Sequence, residues 1–185
     1  GAWPGGSAGR RGHDPALHPV TVALVHGGRV LAALAILSKG LDHRGERYAA
    51  SGLSAVVTAP EWRHRGLGKR LVVAACQEMR AAGADLALFT CDVPLVPFYE
   101  SSGFEVLPGT VLIGGVPEDP LPSDRFPKVA LWLPFTDHAR GHAGQEGLQR
   151  GGREPGARGI VGVGQIDQAG GGADGRAQRL QVVAA

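Results

Sequence analysis

Apolar and polar residues along the front of the chain predict three strands. The segments VTVALVH (20–26) and RVLAALAIL (29–37) are rich in aliphatic and β-branched residues, and only Gly27 and Gly28 separate them. Two such segments joined by a pair of glycines are typical of a β-hairpin. After a polar connection, YAASGLSAVVT (48–58) ends in β-branched residues and predicts a third strand.

In the middle of the chain, apolar residues recur at the spacing of a helix. Leu67, Leu71, Ala75 and Met79 lie four residues apart, which places them on one face of a helix. Gly83 follows them and is a natural left-handed cap, so we expect the helix to end there.

The remaining predicted elements are short. DLALFTC (85–91) predicts a buried strand, PLVPFYESS (94–102) predicts a short helix, and two last strands are predicted over 106–115 and 128–134. The order β-β-β-α-β-α-β-β predicts a mixed α/β fold, in which the strands before and after the first helix run parallel.

Composition changes at both ends of this patterned region. Residues 1–17 are rich in Gly, Pro and Arg without a period, and residues 138–185 are rich in Gly, Arg, Gln and Ala with hardly an aromatic residue. Such segments bury too little apolar surface to offset an ordering entropy of about 1 to 2 kcal/mol per residue. We expect a loose leader over 1–17, one domain over 18–137 and a disordered tail over 138–185.

Charge and cysteine content narrow the function classes. The formal net charge is only +2 and the basic residues form no long run, so we expect no nucleic-acid binding. No stretch approaches the roughly 20 apolar residues of a membrane span. Cys76 and Cys91 do not have the spacing of a metal site. The sequence therefore predicts a cytoplasmic protein with reduced thiols, no metal and no membrane contact.

The segment RHRGLGK (63–69), which we call the basic turn, carries the main candidate chemistry. A strand that stops at Pro60 and a helix that begins near Gly66 leave unpaired amides at the positive end of the helix dipole. Three side chains add formal charge there: Arg63, Arg65 and Lys69. The pattern matches neither the usual P-loop nor the dinucleotide fingerprint, and it predicts a binding site for phosphates.

Arg-x-x-Gly-x-Gly at 63–68 resembles the pyrophosphate-binding signature of the GNAT superfamily of acyl-CoA-dependent N-acetyltransferases, Gln/Arg-x-x-Gly-x-Gly/Ala after a strand. FYESSGF (98–104) is similar to the family's Tyr-x-x-x-Gly-Phe element. The resemblance covers residues 18–135. Within it, residues 40–63 and 108–115 look most like the aminoglycoside 2′-N-acetyltransferases.

The resemblance implies a central, mostly antiparallel sheet with one splayed parallel strand pair and flanking helices. It also implies acetyl-CoA as co-substrate, without a metal. The pantetheine arm would pair with the strand edge at Val56, Val57 and Thr58. The pyrophosphate would be held by the residues of the basic turn: Arg63, His64, Arg65, Gly66, Leu67, Gly68 and Lys69.

The implied activity is transfer of an acetyl group from acetyl-CoA to a primary amine of a small, aminoglycoside-like molecule by direct attack. A backbone amide near Val57 would stabilise the oxyanion, and Tyr99 would protonate the departing thiolate. The other interpretation of Tyr99 is an aromatic residue that packs its ring while its hydroxyl contacts water.

The general base of the aminoglycoside group has no direct counterpart in this chain. That group uses a glutamate, and the aligned residue here is Ser54, which cannot take a proton at neutral pH. Asp92 is the nearest alternative, acting through a water, or else it caps the following helix. Cys91 is either an acetyl-accepting thiol or a small buried hydrophobe, and no His lies beside it.

Two features bear on the acceptor. The superfamily begins with a strand and two helices, and we expect these elements to be missing here. Two interpretations are open. The leader is a truncated remnant of these elements, or a second copy of the chain completes the acceptor side in a homodimer. The loop at 115–126 carries three carboxylates that either steer a polycationic amine or are simply solvated: Glu118, Asp119 and Asp124.

Two other functions compete with catalysis. One is a GNAT-like domain that binds acyl-CoA but no longer turns it over, and the other is an unrelated phosphate-binding α/β domain.

Overall fold

The computed structural model describes residues 13–43, 45–116, 119–141, 159–162 and 181–184. Their elements, in chain order, are β1 (Val20–His26), β2 (Arg29–His43), β3 (Glu46–Thr58), α1 (Leu67–Ala81), β4 (Leu86–Asp92), α2 (Val96–Glu100), β5 (Glu105–Val106), β6 (Thr110–Val116), β7 (Asp119–Pro122), β8 (Lys128–Pro134), β9 (Gly159–Gly162) and β10 (Gln181–Ala184). Short 3-10 turns cover Pro15–Leu17, Pro60–Trp62, Val93–Leu95 and Ser123–Arg125.

The predicted hairpin between β1 and β2 is confirmed. Gly27 and Gly28 have φ values of 55° and 72°, and the strands on either side pair from His26 and Arg29 onward. Two consecutive positive φ values are what a primed hairpin turn needs, and glycine adopts them without the steric cost of a Cβ.

Strand order follows β10-β1-β2-β3-β4-β8-β5 in the main sheet of the described residues. The neighbours β1–β2, β2–β3, β4–β8 and β5–β8 are antiparallel. The pair β3–β4, on either side of α1, is parallel, and so is the edge pair β1–β10. The predicted mixed α/β fold with a mostly antiparallel sheet and a parallel crossover is therefore confirmed.

A second, smaller sheet has the order β7-β6-β9. Strands β9 and β10 lie within residues 138–185. The composition predicts a disordered tail there, because the segment contains few large apolar residues. The rest of that tail beyond residue 141, and residues 1–12 of the predicted leader, lie outside the described residues. Between residue 13 and β1, the described chain forms one 3-10 turn, which buries Leu17.

Helix α1 carries the predicted apolar stripe and ends at the predicted cap. Leu71 and Ala75 are fully buried against the sheet, and deleting a buried leucine side chain typically costs about 2 to 5 kcal/mol. Gly83 has a φ of 82°, and the Ala84 amide donates to the carbonyl of Met79 (3.0 Å). This bond is that of a Schellman cap, which satisfies the last helical carbonyls.

Strands β3 and β4 are paired over only two residues, at the start of β4 and near the middle of β3. Their register pairs are Ala50 with Leu86 and Ser51 with Ala87, although β3 runs on to Thr58. A Cβ on Gly52 would lie 2.8 Å from the carbonyl oxygen of Leu88, so the two backbones still touch at this point. Beyond it the strands diverge, as the splayed pair was predicted to do, and we call the space between them the gap.

Candidate active site

A β-bulge interrupts β3 beside the gap. Ala33 pairs with Val57 while Ala35 pairs with Ser54, so that Leu34 alone faces two residues of β3. Ala55, the extra residue, has a φ of 51°, which is uncommon for a residue with a side chain. A bulge leaves backbone groups without their ladder partners, and here it does so on a strand that has already lost its second neighbour. Residue types did not predict this bulge, because glycine or asparagine would be usual there.

The basic turn exposes the first amides of α1. His64 and Gly66 both have left-handed backbones, with φ values of 60° and 74°. Gly66 is the N-cap residue and has no side chain to satisfy a helical amide. Its carbonyl accepts from the amide of Arg70 (3.1 Å), which starts the helical ladder. The amides before Arg70 therefore have no acceptor within the helix, and they point a partial positive charge at the turn.

Four cationic residues lie in the basic turn and the first turn of α1, close in sequence to these amides: Arg63, Arg65, Lys69 and Arg70. None of the ion pairs found in the described part of the chain involves them. The Arg63 Nε donates to the carbonyl of Thr58 (3.3 Å), and the Arg65 guanidinium lies 4.8 Å from the centre of the Trp62 ring. Cationic residues that form no ion pair within the described part of the chain, next to free helix amides, fit a polyanion such as a diphosphate.

The strand residues predicted to bind pantetheine differ in exposure. Val57 is exposed at 42%, Val56 packs partly against the core, and Thr58 is half-buried. Among the described residues, β3 from Gly52 to Thr58 has a sheet neighbour only on the side of β2. Its other edge is free to pair with an extended ligand.

Tyr99 is buried on α2 and surrounded by aromatic rings. Its ring centre lies 4.9 Å from those of Phe89 and Phe98, in both cases edge to face. Burial, and then the charges of Cys91 and Asp92, raise the pKa of Tyr99 to about 12. None of the hydrogen bonds within the described residues involves its hydroxyl. Tyr99 is thus a packed ring and also a phenol that stays protonated.

Asp92 lies where β4 ends, and its carboxylate accepts from the Nζ of Lys128 (2.9 Å). It stands at the N-cap position of the turn Val93–Leu95, but its side chain makes no capping bond, so the capping interpretation is wrong. The two residues are register partners in β4 and β8. Sequence reasoning missed Lys128 because the pair is 36 residues apart along the chain. Ser54, which the resemblance aligns with the glutamate of the aminoglycoside group, is half-buried beside the bulge.

The cysteines are buried, free thiols. Burial raises the pKa of Cys76 to about 11, against a smaller opposite effect of Arg80. Burial and then Asp92 raise the pKa of Cys91, which Lys128 partly offsets. A nucleophilic cysteine needs a lowered pKa, so these surroundings favour the buried-hydrophobe interpretation of Cys91.

Three further predictions concern a metal, a membrane span and the acidic loop. In the described part of the chain, no group of three or more His, Cys, Asp or Glu side chains is arranged to hold a metal. Of the helices that the structure describes, none has the length and hydropathy needed to cross a membrane. Asp119 begins β7 and Asp124 lies in the turn Ser123–Arg125, while Glu118 is outside the described residues.

A cavity of about 540 Å³ lies at the opposite end of β3 from the basic turn. Small side chains line much of it: Ser38, Ala49, Ser51, Ala82 and Ala84. No residue of the basic turn is among those that line it.

The comparisons with known proteins agree with this geometry. The family model described as acetyltransferase (GNAT) domain matches residues 10–107, more than half of the chain. Glucosamine 6-phosphate N-acetyltransferase of Trypanosoma brucei brucei is 31% identical over 77 residues, which are 42% of this chain and 52% of that protein. The chain thus spans about half the length of this curated relative.

Solved structures of acetyltransferases are also similar to this chain. A GCN5-related N-acetyltransferase from Kribbella flavida has 29% identity and a TM-score of 0.42, over 45% of this chain and 21% of that one. The GNAT family N-acetyltransferase YhbS from Escherichia coli, solved in complex with CoA, has 18% identity and a TM-score of 0.47, over 73% of this chain and 61% of that one. The family match includes both the basic turn and Tyr99. The chain belongs to the acetyltransferase (GNAT) domain family and carries the domain of an acyltransferase.

Proposed function

We propose that the protein transfers an acetyl group from acetyl-CoA to the primary amine of a small molecule. The observation that carries the proposal is the gap itself. The basic turn lies at the ends of the strands that form it, the bulge at Ala55 interrupts one strand, and Tyr99 is on the helix that follows the other. In acetyl-CoA the diphosphate is followed by the extended pantetheine arm and then by the thioester. We match these three parts to the basic turn, the edge of β3 and Tyr99, in that order.

The basic turn is the proposed diphosphate site. The amides of Leu67, Gly68 and Lys69 have no helical acceptor, and the basic turn and the first turn of α1 carry four cationic residues. Together they offset the negative charge of a diphosphate without needing a metal.

The free edge of β3 is the proposed site of the pantetheine arm. This arm contains amide groups, and an extended chain with amides can add to an open sheet edge as a strand does. Exposed Val57 offers the arm an apolar contact. The parallel strand β4 cannot occupy this edge beyond Ser51.

The proposed chemistry is direct transfer. The amine nitrogen attacks the thioester carbonyl carbon, and the carbonyl oxygen takes the electron pair while a backbone amide near Val57 donates to it. Collapse of this intermediate breaks the carbon–sulfur bond, and the Tyr99 hydroxyl gives its proton to the leaving sulfur. Asp92 takes a proton from the amine through a water, and solvent then removes the proton from Asp92 and restores that of Tyr99.

An amino sugar is the acceptor class that we propose. The similarity of two segments to aminoglycoside 2′-N-acetyltransferases and the relative named glucosamine 6-phosphate N-acetyltransferase both concern amines borne on sugars. The homodimer stays a prediction.

A second candidate is a domain that binds acyl-CoA without turning it over. Two observations favour it: Ser54 stands where the family's aminoglycoside group has a glutamate, and the carboxylate of Asp92 is held by Lys128. The family match excludes the third interpretation, an unrelated phosphate-binding domain.

Calorimetric titration with acetyl-CoA, followed by thiol release on a panel of amines, separates the candidates. The panel holds glucosamine 6-phosphate, an aminoglycoside and a polyamine without a sugar. Binding with thiol release on the sugar amines supports the proposal, and release on the polyamine alone rejects the acceptor class. Binding without release on any amine leaves the non-catalytic domain as the better account.

A further inference from the structure

We infer that Phe98 is a positioning residue that joins the basic turn to the proposed proton donor, and that Gly68 lacks a side chain in order to fit against it. This inference rests on the proposed function for its catalytic part. Its packing part, the contact between Gly68 and Phe98, concerns only the folded chain and does not depend on that function.

The two glycines of the basic turn have different reasons to be glycine. Gly66 has a φ of 74°, and a Cβ there would meet no atom within 4 Å, so its backbone conformation is what excludes other residues. Gly68 has an ordinary helical backbone at the start of α1. A Cβ on Gly68 would lie 3.3 Å from two ring atoms of Phe98 and 3.5 Å from the Oγ1 of Thr58. A side chain at Gly68 is therefore opposed by the Phe98 ring, which would have to shift by a few tenths of an ångström, and not by the backbone conformation.

The same phenylalanine also contacts Tyr99. The ring centres of Phe98 and Tyr99 are 4.9 Å apart at an interplanar angle of 74°. Helix α2 has only five residues, and a helix that short is not stable by itself, so side-chain packing must fix its orientation. Phe98 is half-buried and packs against the main core, on the side of α2 that meets α1.

One ring thus spans the distance between two parts of the site. The basic turn would fix the diphosphate, and Tyr99 would meet the sulfur at the other end of the same molecule. An error of about 1 Å in such an arrangement can cost about a hundredfold in rate. The contact of Phe98 with Gly68 sets this distance through the fold, without Phe98 touching the acetyl group.

A double-mutant cycle tests the packing part through CoA affinity. The variants are Gly68→Ala, Phe98→Leu and the pair, with Gly66→Ala as the control. We expect Gly68→Ala to weaken CoA binding about tenfold in calorimetry, and the added Phe98→Leu change, with its smaller side chain, to restore it to within about twofold. Phe98→Leu should not rescue Gly66→Ala, which fails through its backbone. If Gly68→Ala weakens binding equally in the wild-type and the Phe98→Leu background, the phosphate itself requires the glycine and the inference is wrong.

A kinetic cycle tests the positioning part. Phe98→Leu should lower kcat about tenfold with little change in KM, and should lower it no further in a protein that already carries Tyr99→Phe. A residue that only supports the fold would lower kcat by the same factor in both backgrounds, and this result would overturn the positioning role.

Thermal unfolding tests the contact between Gly68 and Phe98 independently of whether the proposed function is right. Alanine favours helices over glycine, so Gly68→Ala should raise Tm where Phe98→Leu gives it room, and should raise it less or lower it beside the native Phe98. This coupling is measurable even if the protein binds no CoA, in which case the proposed function fails while the contact stands. Additive Tm changes would refute the contact.

Discussion

The carboxylate of Asp92 and the ammonium group of Lys128 form an ion pair, 2.9 Å between Oδ1 and Nζ, that joins the ends of β4 and β8. The Asp92 side chain is 59% exposed, so solvent screens the pair, and its contribution to stability is expected to be small. Its position matters more, because Asp92 is the proposed base and is also one of the charges that raise the pKa of Tyr99.

Replacing Asp92 by Asn tests the proposed base. We expect kcat to fall about a hundredfold while CoA affinity is unchanged, because general-base catalysis contributes that order of rate enhancement. Lys128→Met is the matched control, since it breaks the same ion pair but keeps the carboxylate. Equal losses in the two variants would assign the pair a structural role and leave the reaction without a side-chain base.

Replacing Tyr99 by Phe removes the proposed acid and keeps the ring contacts. Because the ring remains packed against Phe89 and Phe98, CoA affinity and Tm should stay close to those of the wild type. The rate of thiol release should fall about a hundredfold. An unchanged rate would mean that the thiolate leaves without help from this residue.

A carboxylate at Gly68 should oppose the diphosphate. Gly68→Asp is compared with Gly68→Asn, which has the same size and meets the same Phe98 ring. We expect the aspartate variant to bind CoA at least about tenfold more weakly than the asparagine variant at low salt, with the difference shrinking as salt screens the charges. Equal affinities would place the diphosphate away from the basic turn.

The raised pKa of Tyr99 makes stability depend on pH at the alkaline end. The folded pKa of about 12 is above the value of about 10 for an unfolded tyrosine, so the native state holds the proton more tightly. This contribution to stability is complete below about pH 10 and is lost as the pH rises toward about 12. Denaturant unfolding at several alkaline pH values should show a decline that is smaller in Tyr99→Phe. The same decline in both proteins would contradict the assignment.

Features that depend on neighbouring residues could be predicted from the sequence. The hairpin at Gly27 and Gly28, the stripe and Gly83 cap of α1, and the basic turn each lie within a short segment whose residue types dictate the local backbone. The parallel crossover then follows from the order of these elements.

Features that depend on contacts between residues far apart in the sequence could not be predicted from it. The bulge at Ala55 follows from the β2–β3 register, and alanine does not favour its positive φ. The partner of Asp92 is set by the register of β8, and the neighbour of Gly68 by the packing of α2. From the sequence, Gly68 is explained only by the close approach of the ligand, because the sequence does not show that Phe98 lies beside it.

Amine-dependent release of the CoA thiol from acetyl-CoA, measured for the wild type beside Tyr99→Phe, tests the central claim most directly. We expect release that requires both acetyl-CoA and an amino sugar, and that is largely lost when the Tyr99 hydroxyl is removed. Tight CoA binding with no amine-dependent release by the wild type would contradict the proposed acetyl transfer.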